Sequence, residues 1–427
     1  MLLVLVVNAV AAIHAQTERK VTVDDLFQLV ESNSKTLLQQ KTSVEFARKN
    51  VEAARSARLP DVNVSASAMM YGDVLLTDRD LTHFQGFALP RWGNSLAVEA
   101  QQVVYAGGAV DAGIRMAQLQ CEQAGVDTEQ VRQQQRFLAI GQFLDIVKLM
   151  NREQVVGQNI ALTEQLLNDI RAKHEQGMVL QNDVTRYELQ MQSLRLELRK
   201  LQDERSILNH QLCHQLGLQD VCIVPELPSE TVSTEGMTEW GGRALASSPI
   251  MQQARISQQM AREQLQLAKS EMLPKVALFA ADNFSGPFTY DIPPLDKNIN
   301  IWYVGVGVKY PLSALFKQNK RVQQARIGLR RSVETHAVAE EQTDNAVQQA
   351  WTLWQQAYVE LETCRKSVEL ARQNYQVVND RYLSQLALVT DMVDASNMKL
   401  SAELGEVDAH IAILFAYYRM KYVSGTL

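Results

Sequence analysis

Three side chains stand at a spacing that could hold a metal: His210, Cys213 and His214, at i, i+3 and i+4 of a helical stretch, with Cys222 as a possible fourth ligand. Imidazole and thiolate at that spacing suit zinc. A helix that binds nothing shows the same pattern, and a closed zinc site also needs supporting hydrogen bonds that no sequence displays. No metal is therefore assigned, and His210, Cys213 and His214 remain the candidate ligands, with Cys222 as the possible fourth. Cys213 and Cys222 flank "CHQLGLQDVC", which suits a small disulfide loop in an oxidising compartment and two thiols equally well. No nucleophile elbow, phosphate-binding glycine loop or HExxH is present, so neither an enzyme nor a bound cofactor is expected. The net charge of −6 offers no basic stripe for a nucleic acid.

The long polar segments carry the most information. Nothing breaks a helix over 318–384, and only isolated glycines interrupt 109–175. Each stretch would be ~100 Å long at 1.5 Å per residue. Val347, Trp351, Trp354, Tyr358 and Leu361 step by four and three, and the register continues through Val368, Tyr375 and Tyr382. Val184, Tyr187, Met191, Leu194, Leu198, Leu201, Leu208 and Leu212 keep the same seven-residue repeat. Sustained heptads predict antiparallel coiled-coil hairpins, with turns near 176–181 and 384–389. The aromatic stripe is a packing seam, not a cofactor box.

Period-2 alternation marks strands after Pro60 (Val62 to Met70) and after Trp302 (Val304 to Tyr310), with weaker versions at 96–100 and 275–280. A soluble half-buried sheet and a membrane sheet both fit that signal. The N-terminus, "MLLVLVVNAVAAIHAQ", reads as a signal peptide over 1–15 cleaved after Ala15, and no later stretch is long and apolar enough for a transmembrane helix. Export without such a helix, with Trp302, Tyr303 and Tyr310 near strand ends, favours the membrane sheet. Four strands cannot close a membrane barrel, and an open sheet leaves backbone groups unsatisfied in lipid, so several chains must combine.

The chain also repeats itself. "AARSARLPDVNV" returns as "LAKSEMLPKVAL", and "KHEQGMVLQNDV" as "RYLSQLALVTDM". Copies of about 210 residues predict a first repeat over 16–216, a linker over 217–236 and a second repeat over 237–427. Each copy should run helix, strand, loop, strand, very long helix, turn, helix.

These duplicated Leu-Pro motifs, together with "VVYAGG" and the two hairpin tips, resemble the TolC family of outer-membrane efflux proteins across the whole mature chain. The resemblance implies a mainly α protein with a transmembrane β part. A homotrimer would give four strands per chain to a twelve-stranded barrel, and its hairpins to an α-barrel through the periplasm of a Gram-negative cell. It implies a passive exit duct for tripartite efflux or type I secretion. The partners would be outer membrane lipid, a periplasmic adaptor and an inner-membrane pump of RND, ABC or MFS type, with no nucleic acid. In "TDMVDA" it implies a periplasmic gate at Asp391 and Asp394, whose carboxylates would meet around the three-fold axis. It implies a gate-holding hydrogen bond between Asp183 and Tyr382. The arginine the family carries five residues after that tyrosine is Ala387 here, so an ionic latch is absent or rebuilt. Gly177, Met178, Gln385 and Leu386 fall at the adaptor-docking tips. The competing reading is an exported coiled-coil scaffold or adhesin, and for each Asp the competing role is a solvated or helix-starting charge.

Overall fold

The computed structural model describes residues 18–219, 221–227, 236–288, 295–384 and 386–427. The expected signal peptide, part of the linker and Gln385 lie outside the described residues.

The chain runs through two matching series of elements. The first is β1 (Glu18–Thr22), α1 (Val23–Asn33), α2 (Lys35–Ser56), β2 (Asp61–Met70), a small hairpin of β3 (Val74–Leu76) and β4 (Gln85–Phe87), β5 (Trp92–Tyr105), α3 (Ala109–Glu175) and α4 (Gln181–Leu216). After β6 (Cys222–Glu226) the second is α5 (Met237–Ser247), α6 (Pro249–Ser270), β7 (Lys275–Gly286), β8 (Ile299–Lys309), α7 (Ala314–Leu383) and α8 (Val389–Val423). The duplication is thus plain in the fold: α1 and α5 have 11 residues each, α2 and α6 22 each, α3 and α7 67 and 70. Each copy opens with two helices where the sequence pattern suggested one. The breaks fall at Ser34 and Ser248, both in extended backbone.

Two compact units cut across the copies. One takes the chain up to Thr42, Val126–Gln253 and Ala337–Leu427; the other takes Ser43–Gly125 and Ala254–His336. In the first unit, β1 and β6 pair in parallel from Glu18↔Cys222 to Thr22↔Glu226, an element absent from the sequence expectations. Thr22 then starts α1 with a capping box, its hydroxyl accepting from the Asp25 N–H while the Asp25 carboxylate accepts from the Thr22 N–H. Leu26 and Val30 of α1 pack with Ile140, Phe143 and Leu144 of α3 and with Leu212 and Leu216 of α4 in one buried cluster. Burying each such leucine is worth about 1.5–3 kcal/mol. The heptad positions of α7 behave as predicted: Val347, Trp354, Leu361 and Val368 are buried.

The second unit holds the four-stranded antiparallel sheet, ordered β2-β5-β7-β8. Residues paired across strands share a face. Val64 pairs with Val98, Val98 with Asp282 and Asp282 with Trp302; Val62 pairs with Ala100, Ala100 with Ala280 and Ala280 with Val304. One face therefore carries Val62, Val64, Leu96, Val98, Leu278, Val304, Val306 and Val308, with Trp302 near one end. The other carries Asn63, Ser65, Ser67, Ser95, Glu99, Asn283, Lys275 and Lys309. On that polar face the Phe279 ring lies against Gly305, where a Cβ would come within 2.7 Å of it. The apolar face is open: Trp302, Val304 and Val306 are 71%, 72% and 64% exposed. A half-buried soluble sheet would cover it, and nothing among the described residues does. The edges β2 and β8 are also unpaired among the described residues.

Candidate functional site

The hairpin tips belong to the first unit and bring four helices together. Leu166, Leu167 and Ile170 of α3, Val184 and Tyr187 of α4, Tyr382 of α7, and Val389 and Met392 of α8 form one buried cluster. The first turn reverses through Gly177 at φ 75°, a left-handed backbone that glycine adopts without strain. The Met178 N–H donates to the Lys173 carbonyl at 2.9 Å and the Gly177 N–H to that of His174 at 2.8 Å, closing the end of α3. In the second turn the Leu386 N–H donates to the Arg381 carbonyl at 2.7 Å. Both return helices then start alike, Leu180 standing before Asp183 as Leu388 stands before Asp391. The Asp183 N–H donates to the Leu180 carbonyl and the Asp391 N–H to that of Leu388, at 3.0 and 3.1 Å.

The two expected gate residues differ in local duty. Asp391 is exposed, and its Oδ2 accepts the Leu388 N–H at 2.9 Å, so it satisfies an otherwise unbonded donor at the start of α8. Asp394, one turn on, is exposed and makes no hydrogen bond or ion pair among the described residues. Met392 and Ala395 between and beyond them are buried, which turns both carboxylates to the outer side of α8.

Asp183 and Tyr382 line one cleft with Lys173, Arg186, Ala387 and Leu388. The hydrogen bond that the family resemblance implied between them is not made here: among the described residues the buried Tyr382 hydroxyl has no hydrogen-bond partner, and neither has that of Tyr187. The Tyr382 ring is held by the cluster instead, with the Lys173 ammonium 4.6 Å from its centroid. Burial, followed by the nearby Asp183 and Asp169 carboxylates, raises the Tyr382 hydroxyl above the ordinary phenol range. Ala387 is partly buried against the same cluster, where a charged side chain would displace apolar contacts. The cations beside Asp183 are thus Lys173 and Arg186, from the first copy. That arrangement left no signal in the sequence, since both lie outside the family's latch motif.

At the outer surface of the tips Met178, Leu180, Leu386 and Leu388 are exposed, a concentration of large apolar side chains at two turns. The metal candidates are not assembled. Cys213 is buried in the core of the first unit, its thiol donating to the Val221 carbonyl at 3.2 Å, while His210 and His214 are exposed. No group of three potential ligands is placed to hold an ion among the described residues. Cys213 and Cys222 are not joined by a disulfide; the Cys222 sulfur lies 3.9 Å from Arg205 Nη1.

A family model described as outer membrane efflux protein matches residues 240–425. A search of the curated proteins by sequence matches none. In fold, the chain is similar to the outer membrane protein VceC of Vibrio cholerae, at 15% identity and TM-score 0.77, over 94% of this chain and 96% of that one. It is similar to the CmeC outer membrane channel of Campylobacter jejuni, at 12% identity and TM-score 0.77, over 95% and 85%. The open state of the MtrE outer membrane channel of Neisseria gonorrhoeae follows, at 12% identity and TM-score 0.75, over 94% and 88%. The chain is thus matched by a sequence model of outer membrane efflux proteins over most of its second half, and it shares the fold of these channels over nearly its whole length.

Proposed function

We propose that the protein is the outer-membrane exit duct of a tripartite efflux or type I secretion system, a passive conduit opened at its periplasmic tip. The observation that carries this reading is the sheet with one open apolar face, one polar face and two unpaired edges. In lipid, unpaired backbone groups cost several kcal/mol each, so β2 of one copy must meet β8 of the next until a barrel closes. Three copies close it with the polar face inward, around water. Each copy then contributes two hairpin tips to the periplasmic mouth. Asp394, with Asp391 one turn nearer the tip, forms the constriction there; like charges around a narrow axis repel one another and attract cations. Lys173 and Arg186 beside Asp183 take the place of the missing arginine in holding the closed state. A periplasmic adaptor docks on the exposed Met178, Leu180, Leu386 and Leu388 and spreads the hairpins, and the inner-membrane pump supplies the energy. The two repeats act as equivalent half-units.

The test is extraction and mass. The protein is expected in the outer membrane fraction, soluble only in detergent, with a trimeric protein mass. A monomer of the same fold that is soluble without detergent would overturn the duct and return the chain to an exported scaffold.

A further inference from the structure

One stretch of the sequence has a composition that the conduit does not require. Between Asp296 and Glu334 there is no acidic residue, although the chain as a whole carries a net charge of −6. The stretch covers β8 and the first turns of α7, all in the second unit. At the end of β8 away from the long loops, Tyr310, Leu312 and Phe316 are exposed, the last two at 68%. Directly beside Phe316 stand Lys317, Lys320 and Arg321, exposed and without an ion-pair partner among the described residues. On a helix, positions 316, 317, 320 and 321 share one side.

The first copy provides an internal control. After its own second strand, Asp111 holds Arg58 at 2.6 Å and Glu263 holds Arg115 at 2.9 Å, so two of the three arginines there are matched, and Arg55 has no ion-pair partner among the described residues. At the opposite, loop end of the sheet, Asp73, Asp78, Asp80 and Asp296 stand among Arg79, Arg91 and Lys297. At the helical end of β8, three exposed cations without an acidic neighbour in sequence thus stand directly below an open apolar strand face.

We infer that this rim is a binding site for anionic phospholipid. Its occupant is an amphiphile whose phosphate meets Lys317, Lys320 and Arg321 while its acyl chains lie against Leu312, Phe316 and Val308. The inference rests on the membrane reading above and adds to it a lipid class and a leaflet, the periplasmic one. The charge, not the apolar area alone, selects the lipid. A zwitterionic headgroup brings its own cation with its phosphate and so adds no net negative charge to the rim.

The experiment compares the full-length protein with the triple variant Lys317→Gln/Lys320→Gln/Arg321→Gln. A control, Arg79→Gln/Arg91→Gln, removes charge from the loop end. Each is inserted into vesicles of phosphatidylcholine with or without phosphatidylglycerol, extracted in mild detergent, and weighed intact with its retained lipid. The wild type and the control are expected to retain phosphatidylglycerol preferentially, and the triple variant to lose that preference by about five-fold per charge removed. Equal retention by wild type and triple variant, both correctly inserted, would overturn the lipid site and leave the duct intact. Failure of the wild type to enter either vesicle would overturn the membrane reading and this site with it.

Discussion

The seam of α7 and the face of β8 are both runs of large apolar side chains at regular spacing, and they meet opposite fates. Trp354 and Leu361 are buried within one chain, whereas Trp302, Val304 and Val306 stand open. The helix seam finds its partners on α8, where Ile413 and Ala409 join Leu361 and Ala357 in one cluster. The sheet finds none among the described residues. A helix satisfies its own backbone and needs only one neighbour for its stripe, while a sheet leaves two edges and a whole face to be completed from outside. The difference separates what a single copy can stabilise from what needs lipid and further copies.

That contrast can be broken in order of effect. Val306→Arg places a charge on the lipid face and is expected to cost about 2–4 kcal/mol per copy near the middle of the bilayer. It should abolish insertion while leaving the helical circular dichroism unchanged. Ser65→Arg, on the polar face, should insert normally; equal damage from both would mean that the two faces are not distinguished by lipid. Leu212→Ala, in the core of the first unit, should lower stability by about 2–5 kcal/mol in denaturant titrations. Asp391→Ala removes the acceptor of the Leu388 N–H and should cost less than about 1 kcal/mol, whereas Asp394→Ala should leave stability unchanged. Tyr187→Phe, which deletes a buried hydroxyl with no partner among the described residues, should be neutral or slightly stabilising. A clear loss there would reveal a partner contributed by the assembled duct.

Much of this was legible from periodicity. The heptads of α4 and α7 and the alternation of β2 and β8 are local signals, and the elements fall within a few residues of where the pattern put them. What was not legible depends on distant partners. The strand β6, "CIVPE", is short and contains Pro225, and it pairs with β1 about two hundred residues earlier in the chain. The break at Ser34 lacks the glycine or proline that usually announces one, whereas the break at Ser248 is followed directly by Pro249, the first residue of α6. At the tips, the motif located Asp183, Tyr382, Asp391 and Asp394, but not that burial would deprive the Tyr382 hydroxyl of a partner or set Lys173 over its ring. The helix-starting role considered for each Asp holds for Asp391, which accepts the Leu388 N–H.

The central claim is a water-filled conduit closed by acidic side chains, and single-channel conductance in a planar bilayer tests it most directly. The purified trimer should show a small, cation-selective conductance that multivalent cations block. Asp394→Ala should enlarge it and weaken the block, and the double variant Asp391→Ala/Asp394→Ala should do so further. A well-inserted double variant that stays as silent as the wild type, or one blocked as before, would contradict the account.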